Sequence, residues 1–185
     1  PNRIFLEKRL KKSGLGTAYV NGFYWAIEKK YDYIFEMDAD FSHNPNDLLR
    51  LLEACQNGAD VSIGSRYVTG VNVVNWPLSR VLMSYFASVY VRFITGMNIQ
   101  DTTAGFVCYK RYVLEQIDLK KIKLVGYAFQ IEMKYRAYCK QFKIEEVPII
   151  FTDRTKGESK MSKGIFKEAV FGVLQLRFTK LIIKI

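Results

Sequence analysis

The feature that most constrains this chain is the stretch Tyr31–Pro45, reading YDYIFEMDADFSHNP. An apolar run through Tyr33, Ile34, Phe35 and Met37 breaks off at two carboxylates, Asp38 and Asp40, separated by one alanine. Alternation along a strand turns residues i and i+2 to the same side. The stretch therefore reads as a buried strand with both acids facing one way at its carboxyl end. Carboxylates so placed repel each other unless a cation lies between them. Oxygen ligands of this kind suit Mg²⁺ or Mn²⁺, which keep positions open for phosphate oxygens. After the turn at Ser42–Pro45, Leu48, Leu49, Leu51, Leu52 and Ala54 recur as on a helix that stops at Asn57-Gly58. Ala59–Ser65 is a second short apolar strand and runs into Arg66. Strand, crossover helix and strand in this order imply a parallel α/β sheet. Ligands of such sheets bind beyond the carboxyl ends of the strands, where Asp38, Asp40 and Arg66 all fall.

Composition narrows the chemistry. The chain has 185 residues, enough for one domain with a sizeable core, and a net charge of +10 that favours anionic partners. With one histidine and three widely spaced cysteines, Cys55, Cys108 and Cys139, it supplies neither a zinc cluster nor a histidine-dependent triad. Reduced thiols are expected. No signal peptide and no uncharged apolar run of about 18 residues or more is present. A start at Pro1-Asn2-Arg3, with no strand before it, reads as an excised fragment. A nucleic-acid module is supported by the net charge alone. An aspartyl phosphotransferase is disfavoured because Phe41-Ser42, rather than Gly-Thr, follows the acidic pair.

Ser13-Gly14-Leu15-Gly16-Thr17 is a turn opening a helix over Thr17–Lys30, either structural or a cradle for an anion, with the structural role favoured. Gly70–Asn75 reads as a loop. Pro77–Ile94 is a long amphipathic helix on which Arg80 and Ser84, four apart, share a face. It either packs on the core or lies in a membrane interface. Asp101–Phe106 leads into a short strand at Phe106–Tyr109 and a helix containing Leu114. Gly126–Gln130 leads into a further helix with Glu132, Met133, Arg136 and Ala137. Lys143–Phe151 is a strand in which Pro148 marks an edge or bulge. The charged loop Asp153–Lys160 precedes a basic amphipathic helix over residues 165–185. The domains expected are thus a catalytic domain over 1–164 and this C-terminal helix. Peripheral attachment to an anionic membrane surface through it, and through the Pro77–Ile94 helix, is the expectation.

Several motifs occur together in order: GLGTAY at Gly14–Tyr19, MDADFSHNP at Met37–Pro45, GSRY at Gly64–Tyr67, NWPLSRVLMS at Asn75–Ser84, DTTAGF at Asp101–Phe106, GYAFQIEM at Gly126–Met133, EVPI at Glu146–Ile149 and DRTKGESK at Asp153–Lys160. In these stretches the chain resembles the polyprenyl-phosphate (dolichyl-phosphate) mannosyltransferases of glycosyltransferase family 2. The resemblance implies a GT-A fold, a Rossmann-like mixed α/β sheet flanked by helices, here lacking the first strands of the family fold. Those strands bind the nucleotide base and ribose, so the fragment is expected to be inactive or nearly so. Ser42 stands where some relatives carry a metal-supporting glutamine, and the family's frequent C-terminal transmembrane helices are replaced by the basic tail helix.

The resemblance further implies inverting transfer of a sugar, mannose from GDP-mannose first, to a polyprenyl phosphate at the cytoplasmic face of a membrane. The alternative is another donor, UDP-glucose or an amino sugar, with undecaprenyl phosphate or a glycan acceptor. Asp38 and Asp40 become the metal-binding and donor-positioning pair, with Mg²⁺ or Mn²⁺ as cofactor. Arg66, Arg80, Ser84 and Arg154 become the acceptor-phosphate ligands, with Asp40, Arg66 and Arg154 counted as catalytic. Gln130, Glu132 and Lys160 are assigned to the donor side, and Asp101 to a sugar or loop contact. Nucleotide sugar, polyprenyl phosphate and anionic membrane are the expected partners, with an integral membrane protein as a further candidate.

Overall fold

The computed structural model describes residues 3–8, 14–124, 126, 128–153 and 170–178. In chain order these residues give α1 (Leu15–Glu28), β1 (Tyr33–Glu36), α2 (Asp47–Gln56), β2 (Val61–Ser65), β3 (Val73–Val74), α3 (Leu78–Thr95), β4 (Val107–Lys110), α4 (Arg111–Gln116), α5 (Ala128–Cys139), β5 (Ile144–Pro148) and β6 (Phe151–Thr152), with a further helix, α6, over residues 170–178. Most boundaries lie within two residues of the periodicity. Pro77 caps α3 from outside and Gly96 ends it in the left-handed conformation at φ 75°.

The main sheet has the order β1-β4-β2-β5. This differs from the all-parallel pairing expected of β1, α2 and β2. β4 wedges between those strands and runs antiparallel to both, pairing Phe35 with Cys108 and Ser62 with Cys108. Within this sheet, among the described residues, only β2 and β5 pair in parallel, from Val61↔Ile144 to Ser65↔Pro148. The sheet is mixed, and β5 is an edge strand, which accommodates Pro148. The expected loop over Gly70–Asn75 contains β3, which forms a second, two-stranded parallel sheet with β6.

Both faces of the main sheet are covered. Alternation along β4 sends Val107 and Tyr109 to a core built with Phe23 of α1 and Phe129 and Met133 of α5. The intervening Phe106 and Cys108 face Leu51, Ala54 and Cys55 of α2 on the opposite side. β2, between them, is buried along its whole length. Val173 of α6 is buried in the first core, and the Tyr90 hydroxyl of α3 donates to the Val170 carbonyl at 3.0 Å. The rest of the expected 165–185 helix lies outside the described residues.

The glycine turn at the start of α1 is held by packing. Gly14 sits at φ 99°, and a Cβ on Gly16 would come within 2.7 Å of the Phe129 ring. Close helix–helix approach, rather than an anion, accounts for Gly16.

Candidate active site

A cavity of about 700 Å³ opens beyond the ends of β1 and β2. Asp38, Gly64 and Gln130 line one side, and Thr103–Gly105 form a second wall. Arg80, Ser84 and the apolar flank of α3 line the far side, and Val170 and Val173 of α6 contribute to the same rim.

β1 ends at Glu36, so Asp38 and Asp40 occupy the following turn rather than the strand itself. The strand-alternation argument for their common face therefore does not apply. The turn is set instead by Phe41 at φ 62° and by Ser42, whose N–H and hydroxyl donate to Asp40 Oδ1 at 3.1 and 2.5 Å. Asp38 lines the cavity; its main-chain N–H donates to Nδ1 of His43 at 3.3 Å. Burial and the Arg66 charge lower the His43 pKa to about 4, which keeps the imidazole neutral and its Nδ1 free to accept. His43, read from sequence as a turn residue, is packed between Phe106 and Phe151 with ring centroids 4.9 and 5.1 Å away.

No cluster of three or more metal-ligating side chains occurs among the described residues. The carboxylates of Asp38 and Asp40 are oxygen donors of the type that suits Mg²⁺ or Mn²⁺ where substrate phosphate oxygens and water complete the shell, and of the two Asp38 lines the cavity. They do not form a protein-only cage.

Arg66 continues from β2 into the cavity, where it is nearly fully buried. Its Nε and Nη2 donate to Asp101 Oδ2 and Oδ1 at 2.7 and 2.6 Å, and its main-chain N–H donates to Oδ2 at 3.0 Å. Nη2 also donates to the Thr103 hydroxyl at 2.8 Å. Burial pushes the Asp101 carboxyl up, but the Arg66 charge and hydrogen bonds outweigh it and hold the group below the usual carboxylate range. Asp101 is thus a partner for Arg66, and much of the guanidinium is engaged by protein.

Arg80 is more open. Its Nη1 donates to Asp153 Oδ1 at 2.7 Å, and the guanidinium lies over the Trp76 ring, 4.0 Å from its centroid. Trp76 in turn meets Phe151 edge-on, with centroids 5.3 Å apart. The β3–β6 sheet brings these together, because Asp153 N–H donates to the Val74 carbonyl at 3.0 Å. Ser84 lies one turn along α3 from Arg80 and lines the same cavity, as their spacing predicts.

Of the donor-side residues, Gln130 reaches the cavity and Glu132 does not. The fully buried Glu132 carboxylate accepts the main-chain N–H groups of Lys123 and Leu124 at 3.0 and 2.9 Å, together with Arg136 Nε and Nη2 at 2.9 and 2.7 Å. Four such bonds fix the loop before α5 and leave the group turned away from the cavity. Arg154 and Lys160 lie outside the described residues. Sequence reading overlooked Glu36 and Lys134, both fully buried and hydrogen-bonded to the cavity-lining residues Gln130 and Ala104. The signal for Glu36 was its i+2 register with the core residue Ile34.

α3 turns only a narrow strip inward, through Ser88, Val91 and Thr95. Leu78, Leu82, Phe86 and Phe93 lie along its outer side, with Phe86, which also reaches the cavity rim, 60% and Phe93 86% exposed. The helix thus packs on the core along its inner strip and leaves an apolar outer side exposed. No helix among the described residues is long and apolar enough to cross a membrane.

A family profile described as glycosyl transferase family 2 matches residues 1–118. A polyprenol monophosphomannose synthase of Mycolicibacterium smegmatis is 48% identical over 175 residues, covering 95% of this chain and 66% of that protein. An undecaprenyl-phosphate mannosyltransferase of Micrococcus luteus is 50% identical over 92% of this chain and 70% of its own length. A dolichol-phosphate mannosyltransferase of Pyrococcus furiosus is 38% identical and is covered over 44% of its length. The chain thus spans between 44% and 70% of the length of these three relatives. Among solved structures, glucosyl-3-phosphoglycerate synthase of Mycobacterium tuberculosis with Mn²⁺, UDP and glucosyl-3-phosphoglycerate superposes with a TM-score of 0.61 at 13% identity, covering 91% of this chain and 55% of that one. The same enzyme with Mg²⁺ and UDP gives 0.60 at 14% identity, with the same coverage. These likenesses establish a GT-A fold.

Proposed function

The chain belongs to glycosyl transferase family 2, and from that premise we propose that it transfers mannose from GDP-mannose to a polyprenyl phosphate, with inversion, at a membrane surface. The observation that carries this reading is one cavity with an acidic donor end at Asp38, a cationic and hydroxylic end at Arg80 and Ser84, and an apolar wall along α3. A phosphate monoester on a hydrocarbon tail matches that sequence of surfaces. The mannosyltransferase names of relatives at 48% and 50% identity support the sugar and the lipid.

In this reading an acceptor phosphate oxygen attacks C1 of the sugar as the bond from C1 to the nucleoside diphosphate breaks. The acceptor's second pKa is about 6, so it arrives largely as a dianion and needs no base. Glu132, engaged by Arg136 and two main-chain N–H groups, is then free of any requirement to act as one. Arg80 binds and orients the acceptor phosphate, a task suited to a planar guanidinium fork. Ser84 supplies a hydroxyl beside it. Arg66 adds positive potential from its buried seat and is steadied by Asp101. Arg154 and Lys160 are assigned to acceptor and donor by their motif alone. Asp38 and Asp40 would hold Mg²⁺ or Mn²⁺, which when bound neutralises charge on the departing diphosphate. Gln130 faces the sugar.

The exposed apolar side of α3 is proposed to seat on the membrane, with the cytoplasmic leaflet as the anionic surface and an integral membrane protein as a candidate partner. A donor panel tests the reading: GDP-mannose, UDP-glucose and a UDP-amino sugar are supplied to the full-length protein with a short polyprenyl phosphate and Mg²⁺ or Mn²⁺. Transfer from GDP-mannose above the others is the expected result; transfer only from a uridine nucleotide replaces the proposed donor.

A further inference from the structure

Lys134 of α5 is fully buried, and its two hydrogen-bond partners among the described residues are main-chain carbonyls: Ala104 at 2.6 Å and Gln130 at 3.3 Å. A buried ammonium is costly unless it is paired. Glu36, also fully buried at the end of β1, is the acid that acts most strongly on Lys134, ahead of Asp101 and Glu146. Gln130 stands between them, its side-chain amide donating to Glu36 Oε2 while its carbonyl accepts from Lys134. Burial raises Glu36 to about 7 and lowers Lys134 to about 8, and each charge draws the other back toward its ionised form.

The network joins the two sides of the cavity. Glu36 lies two residues before Asp38. Ala104, held by Lys134, sits in the wall Thr103–Gly105. Thr103 accepts from Arg66 and donates to Asp101 Oδ1 at 3.3 Å, and Ala104 N–H donates to the Asp101 carbonyl at 3.4 Å. The other end of this loop is anchored from β5, where Glu146 accepts the N–H groups of Gln100 and Asp101 at 2.7 and 2.9 Å. Without Lys134 the loop keeps that anchor and loses its hold on α5.

We propose that Lys134, with Glu36 as counterion through Gln130, is a positioning residue that fixes the Thr103–Gly105 wall, and with it Arg66, relative to the strand end carrying Asp38. The substrate arm of the test rests on the acceptor proposed above; the loop arm does not. Lys134→Met and the double variant Lys134→Met/Glu36→Gln are compared with the full-length protein by thermal unfolding, hydrogen exchange, and calorimetric titration with citronellyl phosphate as a short isoprenyl phosphate. The double variant leaves no isolated buried charge and retains an acceptor for Gln130, so it folds even where the single variant is weakened.

In both variants, exchange of residues 102–106 is expected to rise about tenfold or more while β1 stays protected. Citronellyl phosphate is expected to bind about tenfold more weakly, the loss expected for one charge-assisted hydrogen bond. In turnover the acceptor KM rises more than kcat falls. The unfolding midpoint returns toward wild type in the double variant, and loop protection does not. If the double variant restores both, Lys134 serves only to neutralise Glu36 and the proposal is overturned. Unchanged exchange at 102–106 in Lys134→Met overturns it as well. If the wild-type protein does not bind citronellyl phosphate, the acceptor reading fails and the exchange result alone decides the positioning role.

Discussion

The Asp101 carboxylate receives Arg66 through three hydrogen bonds, from Nε at 2.7 Å, Nη2 at 2.6 Å and the main-chain N–H at 3.0 Å. A residue that its motif marks as a phosphate ligand is thus tethered by an acid 35 positions away. The tether fixes where positive charge enters the cavity.

Removing one partner of this pair leaves the other charge buried alone, which costs about 3–5 kcal/mol. Asp101→Asn is expected to lose stability in that range by urea unfolding at pH 7. Because folding lowers the Asp101 pKa, the wild-type contribution is complete above the unfolded value of about 3.9. It is lost as acid carries the pH down through the lower folded value. The gap between wild type and variant should therefore be flat near neutrality and close in strong acid.

Arg80 combines an ion pair to Asp153 with a face contact on Trp76. A lysine there keeps the charge and loses both the planar stack and the fork. Arg80→Lys should raise the acceptor KM by about tenfold with little change in the donor KM, read from initial rates. Equal change in both constants would indicate a general packing role.

Two glycines on α1 separate packing from ligand binding. Gly16 has no room for a Cβ against Phe129, whereas Gly22 has nothing within 4 Å. Gly16→Ala should destabilise by about 1–3 kcal/mol through overpacking. Gly22→Ala should stabilise by up to about 1 kcal/mol as a helix substitution. An anion cradle at this turn would instead show as weaker donor binding by Gly16→Ala at unchanged stability.

The outer stripe of α3 gives a membrane prediction. Each phenylalanine transferred from water contributes about 1.5–3 kcal/mol. Phe86→Ser/Phe93→Ser should therefore reduce binding to anionic phosphatidylserine vesicles by more than about tenfold, measured by co-sedimentation, with its unfolding midpoint little changed. Undiminished vesicle binding would move the contact elsewhere on the chain.

The helices and the acidic turn were legible because each is written locally: apolar spacing for α2 and α3, Pro77 and Gly96 at the ends of α3, and two carboxylates closing an apolar run. The pairing of β1 with β4 was not, because a strand's neighbour depends on a segment some seventy residues later. Helical spacing placed Arg80 and Ser84 on one face of α3, but only the family resemblance marked them as site residues, because a lone arginine on a helix is ordinarily solvated. Glu36 and Lys134 were missed because charged side chains are ordinarily solvated, and nothing near either residue announces a counterion on another element. Asp101 was noticed, but its partner is visible only once β2 and the 101–106 loop are brought together.

The most direct test follows radiolabelled mannose from GDP-mannose into a chloroform-soluble polyprenyl phosphate, using the full-length protein and its Asp38→Asn variant with Mg²⁺, Mn²⁺ or EDTA. The account predicts metal-dependent formation of a mannosyl phospholipid by the wild-type protein, abolished by EDTA and reduced at least about a hundredfold in Asp38→Asn. Transfer that survives EDTA and Asp38→Asn undiminished, or label that never enters the lipid phase, would contradict it.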